Sequence, residues 1–139
     1  MPLAFETRAL IDETDAPREL EATVHLSDGR ITVTATEDPD NSVHSMPYDR
    51  IDSISYSKGR DPMWNSPEGP APVARLSAGA LGGIFRGTRH WVTLKTSLAG
   101  DPFIVLRFGS EPQLKRALRA LEERTGRQAE IVAPRKDAR

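Results

Sequence analysis

Residues 89–126 constrain the fold more than any other part of the chain, because they hold two strand-like runs, a tight connection and one helix marked at both ends. In Ser110-Glu111-Pro112-Gln113 the Ser110 hydroxyl can accept from the Gln113 amide while the Gln113 side chain reaches back to the Ser110 amide, a capping box. Pro112 falls in the first turn, where its missing N–H costs nothing, and Glu111 sets a negative charge at the positive end of the helix dipole. Leu114, Ala117, Leu118 and Leu121 recur at helical spacing, opposite Lys115, Arg116, Arg119, Glu122 and Glu123, so one face has to be buried. Gly126 suits the left-handed position past a helix end, and the spacing predicts a helix over Glu111 to Thr125. Upstream, Trp91–Thr96 and Phe103–Phe108 are rich in β-branched and aromatic residues and flank Ala99-Gly100-Asp101-Pro102, which predicts a hairpin. The second run is apolar at nearly every position and is expected to be covered on both faces, one of them by the helix.

The front half of the chain alternates. Leu20, Ala22, Val24 and Leu26 are followed, after Asp28-Gly29, by Ile31, Val33 and Ala35. An Asp-Gly pair between alternating runs predicts a hairpin closed by a type I′ turn with positive φ at both residues. Glu37 to Asn41 reads as an acidic turn and Val43 to Met46 as a strand that Pro47 ends or marks as an edge. Ile51 lies three residues before Ile54, so a small turn or bulge is expected ahead of the next strand. Residues 1–19 set acidic groups around Leu3, Phe5, Leu10 and Ile11 and are compatible with an added strand, a short helix or an N-terminal arm. Residues 127–139 read as a short strand, Ala129–Val132, and a charged tail.

A chain of 139 residues is about one domain, with enough core to fold without staples. It contains no cysteine, which excludes disulfides, thiolate nucleophiles and cysteine-ligated metal. The first residues lack a basic, then apolar, targeting pattern, and no run of about 18 apolar residues occurs, so a soluble cytoplasmic protein is expected. The formal net charge of −1 supplies no general attraction for nucleic acid or anionic lipid. The basic residues of the helix are interleaved with acids and lack an aromatic platform, so no nucleic-acid partner is expected.

Residues 58–72 lose all periodicity, at the start of a long excursion over residues 58–88. Six glycines and prolines between 59 and 72 predict a long loop around Trp64, followed by an apolar, glycine-rich stretch with Leu81, Ile84 and Phe85 and a basic trio, Arg86, Arg89 and His90. Two readings stand: the apolar residues fold back over the sheet, or they form an exposed patch rimmed by the basic trio. His25, His44 and His90 fall in different strands with no ligand spacing, which predicts no metal. No Gly-x-Ser-x-Gly elbow occurs, and glycines 79, 82, 83 and 87 lack the strand-then-helix setting of a phosphate loop, so neither a catalytic site nor a cofactor is expected.

With its run of short antiparallel strands, the step Pro47-Tyr48-Asp49-Arg50-Ile51-Asp52-Ser53-Ile54-Ser55, a hairpin and one C-terminal helix, residues 20–126 resemble the pleckstrin-homology-like superfold, especially bacterial PH-like and GRAM-like domains. The resemblance implies a curved antiparallel β-sandwich or barrel of about seven strands whose end is plugged by the helix. In that superfold phosphoinositides are bound by a basic first hairpin; here the hairpin offers Ser27, Asp28, Gly29 and Arg30, so that site does not carry over. The resulting expectation is a non-enzymatic module that binds a protein partner or forms a homo-oligomer through Trp64, Leu81, Ile84, Phe85, Arg86, Arg89 and His90. The alternatives are peripheral membrane attachment by residues 78–86 with Arg86 and Arg89, and a small ligand bound in the barrel.

Overall fold

The computed structural model describes residues 3–12, 17–59, 62–73, 89–98 and 100–132, with Asp12, Pro17 and Arg89 described by their backbone alone. The elements are β1 (Leu3–Asp12), β2 (Pro17–Leu26), β3 (Arg30–Ala35), β4 (Asp38–Pro47), a 3-10 turn (Tyr48–Arg50), β5 (Ile51–Gly59), β6 (Met63–Ser66), β7 (Gly69–Pro72), β8 (Arg89–Thr96), β9 (Phe103–Phe108), α1 (Glu111–Thr125) and β10 (Ala129–Val132). Eight strands form one sheet in the order β10-β5-β8-β9-β1-β2-β3-β4, and β6 and β7 pair only with each other. Val33 and Met46 at one end of the large sheet share a core cluster with Ile54 and Leu94 near the other end and with Leu114 and Leu121 of the helix. The sheet is therefore curved around one apolar interior and closed by α1. This is the mainly β fold with a single C-terminal helix that the pattern predicts.

Of the three readings left open for residues 1–19, residues 3–12 take the strand. β1 pairs with β2 from Leu3↔Leu26 to Asp12↔Pro17 and with β9 at Arg8, Ala9 and Leu10, which makes it a central strand. Phe5 and Ala9 point into the core. Together with β6 and β7, β1 raises the count to ten strands among the described residues, against about seven expected.

The hairpin of β2 and β3 forms, but not by a type I′ turn. Among the described residues only Gly59, Gly69 and Gly126 have positive φ. The Ser27 amide and hydroxyl both donate to the Arg30 carbonyl at 3.0 Å, which closes the loop without a left-handed residue. The expected acidic turn shrinks to Thr36–Glu37, because Asp38 already begins β4 after two register shifts opposite β3. An edge strand tolerates this: Pro39, which has no N–H, stands opposite no register partner on β3, and the acids stay in water. The offset between Ile51 and Ile54 is accounted for by the 3-10 turn and a register shift between Ile51 and Ser53. Tyr48 of that turn is buried and donates its hydroxyl to the Ser27 carbonyl at 2.5 Å, tying the turn to the first hairpin.

α1 has the predicted ends. The Ser110 hydroxyl accepts from the Gln113 amide at 3.4 Å, and Gly126 adopts φ 72°. The reciprocal half of the capping box is not made: Gln113 Nε2 instead donates to the Glu6 carbonyl at 2.9 Å. β9 pairs with β1 only from Arg8 to Leu10, so Gln113 supplies a donor where the neighbouring strand has left. The buried face is Leu114, Ala117, Ala120 and Leu121, while Leu118 is only partly buried at its margin.

Candidate interaction surface

The segment between β5 and β8 leaves and re-enters the sheet at one point, since Gly59 and Arg89 are register partners. A short turn between those two residues would preserve the sheet, so the chain between them is not needed for its continuity, and its described part, residues 62–73, pairs with no strand of that sheet. Its first described part is a hairpin. In Ser66-Pro67-Glu68-Gly69 the Ser66 hydroxyl accepts from the Glu68 amide at 3.2 Å and donates to the Gly69 carbonyl at 2.7 Å, and Pro67 presets the turn. That serine-proline-x-glycine signal was present in the sequence, but the prolines around it hid the two four-residue strands.

The hairpin lies against the outer face of the sheet, beside β5, β8 and β10. At its base, Trp91 Nε1 donates to the Gly59 carbonyl at 3.0 Å, and the Val73 amide donates to the Pro62 carbonyl at 2.8 Å. The Met63 amide donates to Ser57 Oγ at 3.0 Å, and Asn65 Nδ2 donates to Glu130 Oε1 at 2.9 Å. Trp64 meets Phe103 edge to face, with ring centroids 5.1 Å apart and planes at 71°. Below, Leu10, Trp91 and Val105 form a second buried cluster against which Val73 and Phe103 pack. β9 is thus covered on both faces as expected, with Ile104, Leu106 and Phe108 toward the main core and Val105 toward this cluster. Leu10 comes to this cluster from β1, far in sequence from the hairpin of β8 and β9 that supplies Trp91, Phe103 and Val105, so no local periodicity announces the cluster.

Trp64, half-buried, belongs to this outer face. His90 lies on the opposite face of β8, because it alternates with the outward Trp91 and stands opposite the core residue Phe108. The Tyr56 hydroxyl lies 3.0 Å from His90 Nδ1, with the rings stacked at 6.1 Å. Burial, with a smaller contribution from the charge of Glu111, raises the Tyr56 phenol above its ordinary pKa. Trp64 and His90 are therefore not brought together. Leu81, Ile84, Phe85, Arg86 and the side chain of Arg89 lie outside the described residues.

Elsewhere, His44 is buried, with Nδ1 2.7 Å from Asp101 Oδ2, while Nε2 has no hydrogen-bond partner among the described residues. His25 is exposed beside Thr34. Among the described residues no group of three or more His, Asp or Glu is placed to hold a metal ion, and no helix is long and apolar enough to cross a membrane. A polar cleft of about 450 Å³ opens where β1 leaves β9, with Glu6, Arg8, Glu21, Arg107 and Gln113 in its lining. Its guanidiniums face carboxylates: Arg107 bonds both oxygens of Glu19 at 2.8 and 3.0 Å, and Arg8 reaches Glu19 at 3.2 Å and Glu21 at 3.7 Å. The one large apolar side chain left strongly exposed among the described residues is Ile131, 78 % exposed on the edge strand β10. No family model matches this chain, and no curated protein matches it in sequence.

Proposed function

We propose that the chain is a non-enzymatic, PH-like interaction module that binds a protein partner or a second copy of itself through residues 63–89 and an exposed strand edge. The observation that carries this reading is the register pairing of Gly59 with Arg89. An excursion of this length is not required for the continuity of the sheet, and long excursions from compact domains are commonly functional. Support for the edge comes from β10, which ends the sheet and displays Ile131. A free edge and an apolar side chain are the elements of strand addition by a partner. Support for the PH-like reading comes from the curved sheet, the 3-10 turn that leads Ile51 and Ile54 into β5, and the helix that follows the last hairpin.

The test compares the parent with Leu81→Ser/Phe85→Ser by light scattering after size exclusion and by flotation with neutral and anionic vesicles at low and moderate salt. The proposal expects an association with protein that the variant loses and no flotation of either. Flotation of the parent alone, on anionic vesicles only and reduced by salt, would assign the excursion to a bilayer surface instead.

A further inference from the structure

We propose that the β6–β7 hairpin is a flap that opens from the outer face of β5, β8 and β9 as a unit while the rest of the sheet stays folded. This adds a conformational step to the interaction surface proposed above. Its test needs no partner, so either idea can fail without the other.

The hairpin does not hold itself together. It pairs with no strand of the main sheet, and Pro70 and Pro72 leave β7 with backbone donors only at Gly69 and Ala71. Isolated two-stranded hairpins are marginal in water, so its order depends on docking. The docking of the two strands is light: no residue of β6 or β7 is fully buried, and the described links of the strands are two hydrogen bonds, from Met63 and Asn65, and the edge contact of Trp64. The firmer contacts lie at the root, where Pro62 is buried and Val73 packs on Leu10, Trp91 and Val105, so the strands lift about that root.

The closed position also carries a counterforce. Ser55 and Thr93 are cross-strand partners, and Thr93 is in register with Val105, so all three project to the outer face that β6 crosses. Ser55 is 1 % and Thr93 0 % exposed, yet neither hydroxyl has a hydrogen-bond partner among the described residues. A buried hydroxyl without a partner opposes the state that buries it, and lifting the flap returns both to water. The pivot is supplied by Gly59, at φ 151°, whose carbonyl is held by Trp91 Nε1. Opening uncovers Phe103, which Trp64 meets edge to face and which packs on the cluster of Leu10, Trp91 and Val105.

Native-state hydrogen exchange on the intact chain tests this. The Trp64 and Ala71 amides should exchange through an opening that depends little on denaturant, whereas those of Val92 and Leu106 follow global unfolding. Ser55→Ala/Thr93→Val removes the two hydroxyls at nearly constant shape and should slow exchange at Trp64 and Ala71 by about tenfold relative to Leu106. Asn65→Ala should speed it. The inference is overturned if the flap amides share the denaturant slope of Leu106, if the double variant leaves them unchanged, or if they show no protection and hence no closed state.

Discussion

Replacing Trp91 by phenylalanine probes whether the outer face of the sheet is a true second core. Trp91 is 0 % exposed, packs with Leu10 and Val105, and spends its indole N–H on the Gly59 carbonyl at 3.0 Å. Phenylalanine keeps the ring but loses the donor, which costs about 0.5–1.5 kcal/mol. The missing five-membered ring adds about 1–2 kcal/mol in lost apolar burial and residual cavity. The expected loss is therefore about 1.5–3.5 kcal/mol, against less than about 0.5 kcal/mol for a surface tryptophan. Urea unfolding followed by far-ultraviolet circular dichroism measures it, and an unchanged m value would show that the folded state is otherwise the same. The variant also leaves Trp64 as the chain's one tryptophan, so its fluorescence reports on the hairpin alone. A loss under about 0.5 kcal/mol would refute the second core and, with it, the anchoring of the excursion at Gly59.

Two of the helix leucines should separate by burial: Leu121→Ala, at a 1 % exposed site, costs about 2–5 kcal/mol, and Leu118→Ala at the margin about 1 kcal/mol, both read from urea midpoints. Gln113→Ala should cost about 0.5–1.5 kcal/mol by leaving the Glu6 carbonyl without its donor, and its effect should show as faster hydrogen exchange in the first half of β1. Burial raises the Tyr48 phenol above its ordinary pKa of 10.0, with Arg124 pulling the other way. The unfolded chain therefore loses its phenolic proton first, and stability falls as pH rises from about 10 toward the folded pKa. Tyr48→Phe should remove part of that alkaline slope while costing about 0.5–1.5 kcal/mol at neutral pH, as urea titrations between pH 7 and pH 11 would show.

The parts of this fold that were legible in the sequence are those where local chemistry and tertiary packing agree. The ends of α1 follow from Ser110, Pro112 and Gly126, and β8 and β9 from their β-branched runs, because each signal is complete within a few residues. Where a side chain had a choice of partner, the tertiary one won: Gln113 left its own cap to serve β1, and Ser27 closed the first hairpin in place of a left-handed Asp-Gly pair. β1 was ambiguous because its acidic residues blur the alternation, while its pairing with β9 is set by residues about a hundred positions away. The candidate surface was legible only as a loss of periodicity. That Trp64 and His90 would fall on opposite faces of β8 depends on the register of Gly59 with Arg89, which no local pattern encodes.

These features describe a curved sheet with two apolar faces: an inner one sealed by α1, and an outer one covered by a light hairpin at the root of the excursion. The inner face holds the larger core, and the cluster around Trp91 adds to it from outside. Trp91 and Gly59 fix the root of the excursion from the sheet side.

The measurement that tests this account most directly is sedimentation velocity of the intact chain over a concentration series, together with retention of proteins from a cell extract, beside Leu81→Asp/Arg86→Glu/Arg89→Glu. The account predicts that the parent shows an association in at least one of the two readouts and that the variant, still folded by circular dichroism, loses it. Parent and variant that are indistinguishable in both would contradict the claim that the excursion is the working surface of this protein.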